Sequence, residues 1–104
     1  MHISEEQAIE KEIQEKGLVA PRLTPELIDA AIKSVAYHVF DGSCLTVCCL
    51  TLQNGFTVTG ESACVSPENF NRQLVEKISF ANARDKIWML EGYLLKQKLH
   101  EGNQ

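Results

Sequence analysis

The chain has 104 residues, 44% hydrophobic and 23% charged, with six Gly, three Pro and a formal net charge of −4. That is enough chain and enough apolar content for one domain with a modest core, and it excludes a disordered tail or a collagen-like or Pro-rich chain. The acidic balance, with a pI near 5.3, argues against a general phosphate-backbone binder, which needs a basic face. It favours a protein, metabolite or cationic partner.

No run reaches the roughly 20 apolar residues needed to span a bilayer. Residues 1–15 are acidic and lack an apolar h-region, so no signal peptide is expected. Residues 100–104 carry no lipidation box. These features predict a soluble, cytoplasmic protein. The expected divisions are an N-terminal helix and connector over 1–22, one α+β domain over 23–100, and a frayed tail at 101–104.

The first predicted helix covers 4–16. Ser4 is a candidate cap, with Gln7 at capping-box spacing. Ile9 and Ile13 form a thin apolar stripe, and Gly17 ends the helix. A connector holding Pro21 follows. Thr24-Pro25 reads as an N-cap and a first-turn proline. The second helix is expected to run to about Ser34, with Leu27, Ile28, Ala31 and Ile32 inward.

The period then changes to that of strands. Strands are predicted over 35–40, 43–53 and 56–65, joined by tight turns at Asp41-Gly42 and Asn54-Gly55. Two-residue turns would pair His38 with Leu45, Leu45 with Cys64, and Cys48 with Glu61. On that register one face carries Ala36, His38, Phe40, Leu45, Val47, Cys49, Phe56, Val58 and Cys64, and is expected to be the core. The other holds Val35, Val39, Leu50 and Leu52 among threonines and Glu61, and needs a cover of its own. Ser66-Pro67 is expected to open a last helix running to about Leu99, with a bend or break near residues 79–82 where its apolar stripe drifts. Gly92 is a weak point in it that permits close approach of another backbone.

The four cysteines do not converge on this register. Cys44 and Cys48 share a strand face but sit about 13 Å apart at roughly 3.3 Å per residue, too far for one zinc. Four free thiols and no bound metal or cofactor are expected. A Cys–His pair using His38 with Cys49 or Cys64 is the enzymatic alternative, although no phosphate loop, dinucleotide fingerprint or nucleophile elbow accompanies it.

The last helix carries the candidate binding residues. Arg72 and Arg84 are suited to holding a carboxylate or phosphate bidentately. Asn82, flanked by Ala81 and Ala83, is placed to cap a helix segment or to reach the sheet. Trp88 and Tyr93 offer a stacking platform or a subunit contact. Leu50 and Leu52 on the sheet, with Trp88, Gly92 and Tyr93 on the helix, are the expected contacts of a homodimer or higher homo-oligomer.

Two runs carry a family resemblance: LTLQNGFTVTGESACVSPENF at 50–70 and ANARDKIWMLEGYLL at 81–95. The sequence resembles the small phage-protein family called gp forty-nine/gp sixty-six, of the podophages N-four and Sf-six. The resemblance covers roughly the last two-thirds of the chain, with residues 23–34 fitting a helical lead-in. It implies a phage or prophage accessory protein acting in the cytoplasm of a host bacterium, and it transfers no catalytic residue. The expected function is that of a non-enzymatic accessory protein that binds and blocks a host bacterial protein, such as a defence component. The alternatives are a sponge for a nucleotide-like immune signal and a small enzyme using a Cys/His pair. Neither a membrane nor general nucleic acid is an expected partner.

Overall fold

In a computed structural model, residues 3–18 and 20–102 are described, Ile3 and Ser4 by backbone alone. The capping role expected of the Ser4 side chain lies outside the described residues. The architecture is α+β: α1 (Ile3–Glu15), α2 (Pro25–Ala30), β1 (Ile32–Val39), β2 (Thr46–Leu52), β3 (Thr57–Ser62), a 3₁₀ turn (Pro67–Asn69) and α3 (Arg72–Gly102). The strands form one antiparallel sheet in the order β1-β2-β3, and α3 lies across it.

Thr24 caps α2 as its sequence predicts, its hydroxyl accepting from Leu27 N at 3.2 Å. The helix stops four residues earlier than expected. Gln53, in the β2–β3 turn, donates its backbone N–H to Ala31 O and its side-chain amide to Ala30 O and Ile32 O. Those bonds take up the carbonyls that close the helix, and β1 starts at Ile32 with a bulge between Ile32 and Ser34.

Both turns differ from two-residue hairpins, with different consequences. Between β1 and β2, Phe40 N donates to Leu45 O, which leaves residues 41–44 as a four-residue loop with Gly42 at φ +77°. His38 therefore faces Val47 rather than Leu45. That is a shift of two residues, which preserves faces. Between β2 and β3, Leu52 N donates to Phe56 O, and Gly55 N to Leu52 O. The loop is three residues, with only Gly55 at positive φ (+90°) and the Asn54 side chain accepting from Phe56 N at 2.9 Å. This is the turn-plus-bulge alternative to a type I′ hairpin. It slips β3 by one residue, so Thr51 pairs Thr57, Leu50 pairs Val58 and Cys48 pairs Gly60. A one-residue slip reverses every side chain on a strand.

The expected core face is consequently the open one. Ala36, His38, Val47, Cys49, Thr59 and Glu61 lie away from α3, all exposed or half-exposed. Thr46, Cys48, Leu50 and Leu52, expected on a mixed second face, are buried and joined by Val58. Their cover is α3, through Val75, Ser79, Ala83 and Ile87. The cover fits because of Gly60: a Cβ there would lie 2.2 Å from Ala83 N and 2.5 Å from Ser79 O. The helix backbone rests directly on the strand.

The last helix also departs from its reading. Asn71 caps it, its side chain accepting from Leu74 N at 3.0 Å, while Ser66 makes no side-chain cap bond. It runs 31 residues without the break expected near 79–82. At 1.5 Å per residue it is about 46 Å long, whereas a seven-residue strand spans about 23 Å. The C-terminal half therefore runs past the sheet.

Candidate functional site

Three features lie along α3 where it leaves the sheet. The first is a buried ionic cluster. Arg84 is 3% exposed. Its Nη1 donates to both carboxylate oxygens of Glu6 at 2.7 and 2.8 Å, and its Nε to Asp29 at 2.8 Å. Trp88 donates its indole N–H to the same Glu6 carboxylate at 3.1 Å. Burial opposes the charge of Arg84, but the bonds from Asp29 and Glu6 outweigh it and the net effect on its pKa is upward. The cluster ties α1, α2 and α3 together. Arg22 and Glu10 make a second tie, and the Arg22 hydrogen bond holds the Glu10 carboxyl below the usual 4.5.

The second feature is a groove of about 340 Å³ between α1 and α3, with Trp88 as one wall and Ile9, Ile13, Leu23 and Pro25 around it. The thin stripe of α1 does not close against its neighbours, and Ile9 stays exposed.

The third is a groove of about 660 Å³ between the overhanging half of α3, the β2–β3 turn and α2. Five of its apolar residues, Leu27, Phe56, Leu90, Tyr93 and Leu94, are exposed, with Tyr93 at 73% and Phe56 at 56%. Arg22 and Lys98 stand among its polar residues. It exists because the helix outruns the sheet: Ile87 is the last buried side chain of α3, and the turns beyond it share the groove with α2, the end of β2 and the β2–β3 turn.

The residues singled out in the sequence fall as follows. Arg84 and Trp88 come together, but on Glu6. Arg72 is twelve residues away, about 18 Å along the helix, exposed and paired with Glu76. The two arginines do not converge in one chain. Asn82 reaches the sheet, donating its side-chain amide to Glu61 O on β3 at 2.9 Å. Tyr93 lines the larger groove. A Cβ at Gly92 would meet the Leu23 side chain at an ordinary 3.7 Å, and no other backbone. Leu50 and Leu52 are covered by α3 of the same chain. His38 packs edge-on against Phe40 with ring centroids 4.6 Å apart, on the opposite face from Cys48 and the core.

Glu6, Asp29, Leu27 and Phe56 were not legible as site residues. Glu6 and Arg84 are 78 positions apart, and no local spacing joins them. Phe56 carried a signal of a kind: a large aromatic directly after Asn54-Gly55 sits at a turn, where burial is hardest.

The model of the phage protein (N4 Gp49/phage Sf6 gene 66) family matches residues 23–99. The chain belongs to that family. No curated protein and no solved structure matches it. The family segment contains every residue named on the larger groove except Arg22, whereas the smaller groove borrows one wall from α1, outside the match. No helix among the described residues is long and apolar enough to cross a membrane.

Proposed function

We propose that this phage-family protein is a non-enzymatic accessory protein that binds a host bacterial protein and blocks it, using the larger groove as its contact surface. The observation that carries the reading is five large apolar side chains exposed together on one groove. Apolar surface gathered in this way marks an interaction site, and a groove between a helix and a turn suits an amphipathic helix laid into it. Tyr93 and Phe56 are aromatic anchors of the kind that dominate such contacts. A host defence component is the partner this reading favours.

One observation favours a second reading, a sponge for a nucleotide-like signal. A volume of about 660 Å³ falls within the range of small-molecule sites, about 300–1,000 Å³. Two aromatic rings and the cation Lys98 suit a planar anionic ligand. Native mass spectrometry of protein recovered from infected cells separates the two. A stoichiometric host protein, lost on Leu94→Asp, supports the first reading. A bound species of nucleotide mass, lost on Tyr93→Ala, supports the second.

A further inference from the structure

The observed register has a consequence for the cysteines. In every β2–β3 pair, from Thr51↔Thr57 to Thr46↔Ser62, the residue numbers add to the same total. Continued two positions, the pairing sets Cys44 opposite Cys64. The two-residue hairpin expected from Asn54-Gly55 had set Leu45 there, and the one-residue slip is what brings the thiols together. Residues directly opposite on antiparallel strands have Cα atoms about 4.5–5.5 Å apart, inside the roughly 4.4–6.8 Å that a disulfide spans. Both cysteines are free of a disulfide in this structure and half-exposed.

We infer that Cys44 and Cys64 form an oxidisable dithiol, which closes to a cross-strand disulfide by exchange with an oxidised low-molecular-weight thiol such as glutathione disulfide.

The mutual influence of the two thiols supports this. The Cys64 thiol, by hydrogen bonding, is the largest cause of the raised pKa of Cys44, followed by burial and by charge repulsion from Cys64. In the first step the thiolate of one cysteine attacks one sulfur of glutathione disulfide, giving a mixed disulfide and releasing one glutathione thiolate, which takes a proton. In the second the sulfur of the other cysteine, giving up its proton, displaces the second glutathione. The protein loses two protons and two electrons, and one glutathione disulfide becomes two glutathione thiols.

The other cysteines are placed differently. Cys48 is fully buried, and burial, followed by the charge of Cys49, pushes its thiol up to about 11. Cys49 faces the open side between Ala36 and Thr59, with no cysteine opposite it. The bond would staple the 41–44 loop to the segment that leads from β3 into α3. It would close a loop of about 20 residues, long enough to stabilise the fold by restricting the unfolded chain.

The test incubates the full native chain with glutathione disulfide, quenches with acid, alkylates under denaturing, non-reducing conditions and maps the peptides. The expected result is one Cys44–Cys64 crosslinked peptide, with Cys48 unmodified by glutathione and a melting temperature raised by about 5 °C or more. Cys44→Ser should lose both the crosslink and the rise, while Cys49→Ser keeps both. Stable glutathione adducts on Cys44 or Cys64 without closure, a disulfide that includes Cys48 or Cys49, or an unreacted pair would each overturn the inference. The wild-type map decides the matter even where a serine variant folds poorly.

Discussion

Adding one methyl group at Gly60 should separate α3 from the sheet. In Gly60→Ala the new Cβ would lie 2.2 Å from Ala83 N, 2.5 Å from Ser79 O and 2.8 Å from the Asn82 carbonyl carbon. All three are helix backbone, so no side chain can rotate out of the way. Ordinary contact begins near 3.4 Å, and opening from 2.2 to 3.4 Å moves the helix by about 1.2 Å. A radial gap of about 0.5–1 Å already forfeits a quarter to a half of the dispersion well. The loss falls on Ile87 and Ala83 against Cys48, Leu50 and Val58, the centre of the core. Overpacking costs about 1–3 kcal/mol where neighbours can yield. Here they cannot, so a loss of about 3 kcal/mol or more is expected. At about 4–8 °C per kcal/mol for a chain of this size, that is a fall of roughly 12–24 °C in melting temperature. Circular dichroism melts and urea titrations measure it. A Gly60→Ala variant that melts within about 4 °C of the native chain would refute the direct backbone contact and the register that creates it.

Gly55→Ala is the companion case. A Cβ there meets nothing within 4 Å, but the backbone sits at φ +90°, so the loss should be limited to about 1–2 kcal/mol in the same melts. Arg84→Met should cost about 3–5 kcal/mol by urea titration, because it strands the Glu6 carboxylate, 2% exposed, without its partner. Glu6→Leu combined with Arg84→Met should recover most of that loss, and strictly additive losses would contradict the pairing. Acid should loosen α1. The Arg22 hydrogen bond lowers the Glu10 pKa below 4.5, so its stabilisation is present above that value and is lost as pH falls through the lower, folded value. Hydrogen exchange of the α1 amides across that window should show the loosening in the native chain and not in Arg22→Gln.

Much of the fold was readable from local chemistry. Thr24-Pro25 placed α2, the β-rich run over 43–53 placed the central strand, and the apolar spacing of Phe70, Leu74, Ile78 and Ala81 placed α3, although its start was read at Ser66-Pro67. Asn54-Gly55 announced a turn but not its type. Glycine satisfies the positive φ of a type I′ turn and of a three-residue turn with a bulge equally well, and Asn54 decides between them by bonding Phe56 N. That single ambiguity reversed β3 and with it the identity of the core face. It also hid the Cys44–Cys64 juxtaposition and the role of Gly60. The end of α2 was hidden for another reason: Gln53, more than twenty residues later, takes its last carbonyls. Of the candidate site, Tyr93 and Trp88 were visible as aromatics on α3, and Asn82 as a residue able to reach the sheet. Glu6 and Asp29 were not, because the partners of Arg84 come from two other helices.

The proposed activity of this phage-family chain is to occupy a host protein through the groove beside Leu94 and Tyr93. Native mass spectrometry of the protein purified from infected cells tests it most directly, comparing the native chain with Leu94→Asp. The expected result is a complex of fixed stoichiometry between the native chain and one host protein, absent from the variant. Recovery of the native chain without a host protein, or of the same complex from Leu94→Asp, would contradict it.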